Sequence, residues 1–199
     1  MKNLIFAVAI ATTTIAACNN TSNKSSENKN INDTTKVSNS MSKDASSTNT
    51  SISKEAEAMK EMVAQYLQIK NALANDNGND AASAGNALVA SMSQMDRIIL
   101  PADKKKIWEN LADDAKEMAD HIGKNGDKLE HQRGHFDMLS NDMYDLVKTF
   151  GSEQTLYQDY CPMYNNKKGA TWLSETKEIK NPYLGNKMPV CGSVKEEIK

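Results

Sequence analysis

From Ser53 onward apolar residues recur every three or four positions, the period of a helix that buries one face. Met59, Met62, Val63, Tyr66, Leu67 and Leu73 form a first stripe, and "NDNGND" at 75–80 supplies the Gly and Asn residues that stop one helix and cap the next. A second stripe holds Ala81, Ala84, Leu88, Met92 and Met95, and its alanines and Gly85 predict close approach of a neighbour. After "LPADKKK" a third stripe runs through Ile107, Leu111, Ala115, Met118 and Ile122, with Trp108 on its flank. After "KNGD", Leu129, Gln132, Phe136, Leu139, Met143, Leu146 and Phe150 alternate steps of three and four, the seam of an antiparallel bundle. The pattern predicts helices near 53–75, 79–97, 102–124 and 127–150, joined by short connections. The expected fold is all-α: a four-helix, up-down antiparallel bundle.

Beyond Phe150 the helical period stops, and Gly151, Pro162, Gly169, Pro182, Gly185, Pro189 and Gly192 punctuate the chain as loop or short hairpin. A segment this short cannot build its own core. Trp172, Leu173, Ile179, Tyr183 and Leu184 are therefore expected to dock on the bundle, with a cross-link or an ion fixing the rest. The domain is placed at 53–194, its Cys/Met-containing irregular segment at 151–194.

The other end reads differently. Residues 18–52 are rich in Asn, Ser and Thr with isolated apolar residues, too few to bury a core, and predict a disordered tether. Residues 1–17 carry Lys2, an apolar run over 4–11 and small residues before Cys18, the build of a secretory signal too short to span a bilayer. "IAAC" at 15–18 resembles the lipobox of bacterial lipoproteins, which implies cleavage before Cys18 and its acylation. At about 0.8 kcal/mol per buried CH₂, two or three acyl chains would hold the protein on a membrane. Asn19 is not the aspartate associated with inner-membrane retention, so a periplasmic, outer-membrane anchor is favoured over an inner-membrane one.

The formal net charge is −2, and loss of Lys2 with the signal makes it more negative. No basic stripe with interleaved aromatics is present, which argues against nucleic acid. Nucleophile-elbow, phosphate-loop, dinucleotide and His-Glu-x-x-His signatures are missing, and a Cys161–His135 pair has no obvious oxyanion hole. The expectation is that the chain is not an enzyme.

The chemistry-bearing residues lie late in the sequence. Met59, Met62, Met92, Met95, Met118 and Met143 fall on core stripes, where Met is a flexible filler, leaving Met138, Met163 and Met188. "CPM" sets Cys161 two residues from Met163, and "MPVC" sets Met188 three from Cys191, so arms that meet would converge four sulfurs. Thiolate and thioether select copper(I) or silver(I) over magnesium or calcium. His131 and His135, at i and i+4 with Met138 continuing the stripe, can present two imidazoles to one ion. His121, alone near a helix end, is read as a favourable dipole partner. Outside the cytoplasm Cys161 and Cys191 are equally able to close a disulfide, contributing about 3.6 kcal/mol by chain entropy. "NPY" at 181–183 reads as turn chemistry, with Pro182 fixing the backbone and Tyr183 packing.

"HQRGHFDMLS" (131–140), "YCPMYNNKKGATWLS" (160–174) and "IKNPYLGNKMPVCG" (179–192) together resemble a family of uncharacterised periplasmic bundle domains, found as free lipoproteins and fused to adaptor subunits of copper and silver efflux pumps. The resemblance covers roughly 53–194. "YCPM" is also similar to short heavy-metal-binding segments that usually continue with His, where this chain has Tyr164. The resemblance implies a membrane-anchored periplasmic lipoprotein that binds copper(I) or silver(I) and acts as carrier or sensor beside a heavy-metal efflux adaptor. The alternative is a disulfide-stapled structural or protein-interaction module without metal.

Overall fold

Four long helices form where the periodicity places them: α1 (Asp44–Ala74), α2 (Gly78–Met95), α3 (Ala102–Lys124) and α4 (Leu129–Phe150). The computed structural model describes residues 44–199, so the expected signal segment, Cys18 and the tether as far as residue 43 lie outside the described residues. Helix α1 begins at Asp44, ahead of the expected start at Ser53. The stretch 44–52 holds no Gly or Pro, and extending an existing helix costs far less than nucleating one. No helix among the described residues is long and apolar enough to cross a membrane.

The stripes of α1, α2 and α4 face the core as expected, with Met62, Tyr66, Leu73, Leu88, Met92, Phe136, Leu139 and Met143 fully buried. Helix α3 is turned by about one residue from the predicted face. Trp108 is only 5% exposed whereas Ile107 is 37% exposed. The indole has more apolar area to bury, donates its Nε1–H to Asp96 Oδ1 at 2.9 Å and meets the Phe150 ring edge-on. Ala112, Ala115 and Ala119 are then buried on the same helix. A Cβ on Gly85 would lie 2.8 Å from the Ala119 carbonyl oxygen, so the close approach predicted from this glycine is present.

The C-terminal segment corrects the all-α expectation. It forms a three-stranded antiparallel sheet of order β2-β1-β3, from β1 (Leu156–Cys161), β2 (Ala170–Ser174) and β3 (Ser193–Ile198). A tight loop joins β1 to β2 and holds Asn165, Asn166 and Lys167 at φ 50°, 55° and 67°, left-handed values that asparagine tolerates better than most residues. Gly169 continues the turn at φ 81°. Strand β2 packs on α4 and α1, and Trp172, Leu173 and Tyr183 are buried as the docking expectation required. The Leu173 amide donates to Tyr66 Oη at 3.0 Å, and that hydroxyl pairs with Ser140 Oγ at 2.8 Å, tying strand to bundle.

One buried charge cluster sits under the sheet. Lys70, 0% exposed, donates to Glu175 Oε2 at 2.7 Å, while Asn71 Nδ2 donates to Glu175 Oε1 at 2.9 Å. Asp159, also fully buried, has no hydrogen-bond partner for either carboxylate oxygen among the described residues. Burial pushes its carboxyl up to about 7, against the pull of the Lys70 charge.

Candidate metal centres

Two residues hold the C-terminal loop in place. Arg133, buried on α4, donates Nε to the Pro182 carbonyl at 2.9 Å and Nη2 to the Leu73 carbonyl at 3.0 Å and to Asp76 Oδ1 at 2.5 Å. It thus joins the end of α1, the middle of the tail and α4. Asn181 Oδ1 accepts from the amides of Tyr183 and Leu184, both at 2.8 Å, and Nδ2 donates to the Cys191 carbonyl at 2.6 Å. The same residue's amide donates to the Pro189 carbonyl at 2.8 Å. The "NPY" turn is as expected, with Tyr183 packed among Phe136, Tyr164 and Trp172. Its Asn, which closes the loop onto Cys191, was not singled out, although Asn before Pro is the residue type that brackets backbone amides in this way.

That loop brings the two cysteine arms together. Cys161, fully buried at the end of β1, and Cys191, half-buried, face each other with their sulfurs 2.9 Å apart. Burial, then the adjoining Cys161, pushes the Cys191 thiol up, while the Met163 amide pulls the other way. Met163 and Met188 flank the pair and are 47% and 43% exposed. Tyr164 stacks on Tyr183 at 4.4 Å and serves packing.

The histidines lie elsewhere. His131 and His135 are each two residues from Arg133, about 200° around a helix at 3.6 residues per turn. Arg133 holds the tail, so the imidazoles project from another side of α4. They face α3, where His121 stacks on His135 with ring centroids 4.4 Å apart and 9° between planes. His135 Nε2 is 3.2 Å from His131 Nε2, and its Nδ1 is 3.2 Å from Met118 Sδ. One ring nitrogen from each of His121, His131 and His135 lies within 4.8 Å of the other two, and neither cysteine belongs to this group. Burial, then the His121 and His131 charges, holds the His135 imidazole below its usual range and so in the neutral form that binds metals. The expected convergence of imidazoles and sulfurs is therefore replaced by two clusters, and Met138, expected to continue the stripe, is 48% exposed.

The sequence reading places His121 at the helix dipole and Met118 in the core, so it misses one imidazole of this group and the thioether beside it. The signal available was symmetry about the α3–α4 turn: His121 stands five residues before Gly126 and His131 five after, while Met118 and His135 stand eight before and nine after. Antiparallel helices joined by a short turn pair such positions.

Residues 62–155 match the model of a family described as a protein of unknown function (DUF3347). The chain is similar to that family across most of the bundle. The matched span contains Met118 and all three histidines and ends just before β1, ahead of Cys161. No curated protein and no solved structure matches the chain.

Proposed function

We propose that this protein is a membrane-anchored periplasmic lipoprotein that binds copper(I) or silver(I) through Cys161 and Cys191, assisted by Met163 and Met188, and serves as a carrier or sensor for heavy-metal efflux. The observation that carries the reading is the meeting of two cysteine sulfurs at 2.9 Å on arms that each bring an exposed thioether. Soft donors in this number favour a monovalent soft ion over calcium or magnesium. At about 2.3 Å per metal–sulfur bond, two sulfurs on one ion stand roughly 3.8 to 4.6 Å apart. Binding therefore requires the arms to part by an ångström or more, with loss of the thiol protons. The anchor, the periplasmic location and the efflux adaptor as partner rest on the resemblances of residues 15–18 and 131–192.

A second reading follows from the same distance. Closing from 2.9 Å to a disulfide bond of about 2.05 Å is a smaller motion than opening for an ion. On that reading the cysteines staple the tail, and the bundle is a structural or interaction module. Thiol titration and mass measurement of protein purified without reductant, followed by copper(I) competition against a chromogenic chelator, separate the two. The metal reading expects two titratable thiols and binding that a Cys161→Ser variant loses. A disulfide that resists reduction, or binding no tighter than the variant's, supports the staple.

A further inference from the structure

We infer a second, independent metal site on the outer face of the α3–α4 hairpin, in which His121, His131 and His135 take one divalent late transition ion, copper(II) or zinc(II). This inference does not rest on the thiol site, since it uses other residues on another face of α4. Three features of the geometry point to it. The 3.2 Å between His131 Nε2 and His135 Nε2 is close to the roughly 3.3 Å edge of a tetrahedron with metal–nitrogen bonds near 2.05 Å. The third nitrogen lies within 4.8 Å, so turning the His121 ring out of its stack on His135 completes a three-imidazole face. The opposite nitrogen of His135 already has a partner: Nδ1 lies 3.2 Å from Met118 Sδ, and because a thioether can only accept, this contact selects the tautomer that leaves Nε2 as a lone-pair donor toward the other two rings. Met118 is thus a positioning residue.

The scaffold beneath the cluster is stiff. Gln132 Nε2 donates to the Gly78 carbonyl at 2.9 Å and to the Ile122 carbonyl at 3.0 Å, locking the start of α4 to the end of α3 and the start of α2. Asn125 Nδ2 holds the His121 carbonyl at 2.8 Å. Backbone positions are therefore set before an ion arrives, and only side-chain torsions need to adjust. With His131 exposed, the fourth coordination position opens to solvent, the arrangement of a site that exchanges its ion or takes a fourth ligand from outside. Imidazole nitrogens prefer borderline divalent ions, and among first-row ions copper(II) binds most tightly.

The test uses the full chain and its Cys161→Ser/Cys191→Ser form, with zinc(II) and copper(II) as the probes. Competition against a chromogenic chelator is expected to give one equivalent of either ion, retained when both cysteines are replaced. His131→Ala, an exposed position, should keep the fold by circular dichroism and weaken zinc(II) by more than about 100-fold, beyond the 10- to 100-fold an orienting residue costs. His121→Ala should do the same. Cobalt(II) bound to the double cysteine variant should show tetrahedral bands without sulfur charge transfer. Binding that disappears with the cysteines, or that survives both histidine substitutions unchanged, overturns the inference.

Discussion

The imidazole cluster and the thiol pair occupy one small protein but are held by opposite means. The histidines stand on two long antiparallel helices whose ends are fixed by Gln132 and Asn125, so their backbones are set by the bundle. The cysteines sit at a strand end and in an irregular loop, and their meeting depends on side chains that bind loop carbonyls, chiefly Arg133 and Asn181. A site on regular elements is preorganised and selects by geometry. A site on a pinned loop can widen or close, and selects by donor softness.

The strongest way to break this contrast is to remove the pin. Arg133→Met leaves the Asp76 carboxylate and two buried carbonyls without their guanidinium, at a cost of about 3 kcal/mol. A fall in Tm of roughly 6–12 °C is expected. Copper(I) affinity should drop with it while zinc(II) affinity changes little; equal losses at both sites would erase the distinction. Asn181→Ala is milder, since it deletes hydrogen bonds worth about 1–2 kcal/mol in all. Here Tm should fall by roughly 3–6 °C, and a rise in hydrogen exchange confined to 181–192 would sharpen the claim that this residue sets the position of Cys191.

Asp159, two residues before Cys161 and near the Lys70 and Glu175 charges, gives the fold a pH dependence. Its folded value of about 7 lies above the unfolded value near 3.9, so the folded state keeps the proton longer. That contribution to stability is complete below about pH 4 and is lost as pH rises through 7. Asp159→Asn should match the parent in Tm at pH 4 and exceed it by a few degrees at pH 8. A variant with the same pH profile as the parent would show that the buried carboxyl finds a partner. The smallest effect is expected from Met118→Leu, which keeps the packing and removes the sulfur at His135 Nδ1. Zinc(II) should bind about tenfold more weakly with Tm unchanged; no change in affinity would remove Met118 from the site.

Much of the bundle was legible because each helix buries one side, and the stripes at 59–73, 81–95 and 129–150 record it directly. Helix α3 was harder because Ile107 and Trp108 compete for the same place and only packing against Phe150 and Asp96 decides between them. The strands left little trace. β1 has a register shift between Gln158 and Asp159 that breaks its alternation, β2 is buried on nearly every residue, and β3 is largely exposed, so none shows a clean period of two. The cysteine pairing was readable from soft donors in a coreless tail. The histidine partners needed a further step, because periodicity along α4 says which residues share its face, and only symmetry about the α3–α4 turn says which residues of α3 stand opposite.

The central claim, two sites of different donor chemistry filled independently, is tested most directly by native mass spectrometry of the reduced full chain offered copper(I) and zinc(II) together. The account predicts one species carrying one copper and one zinc, with zinc lost in His131→Ala and copper lost in Cys161→Ser. A protein that holds a single ion, with either metal displacing the other, would contradict it.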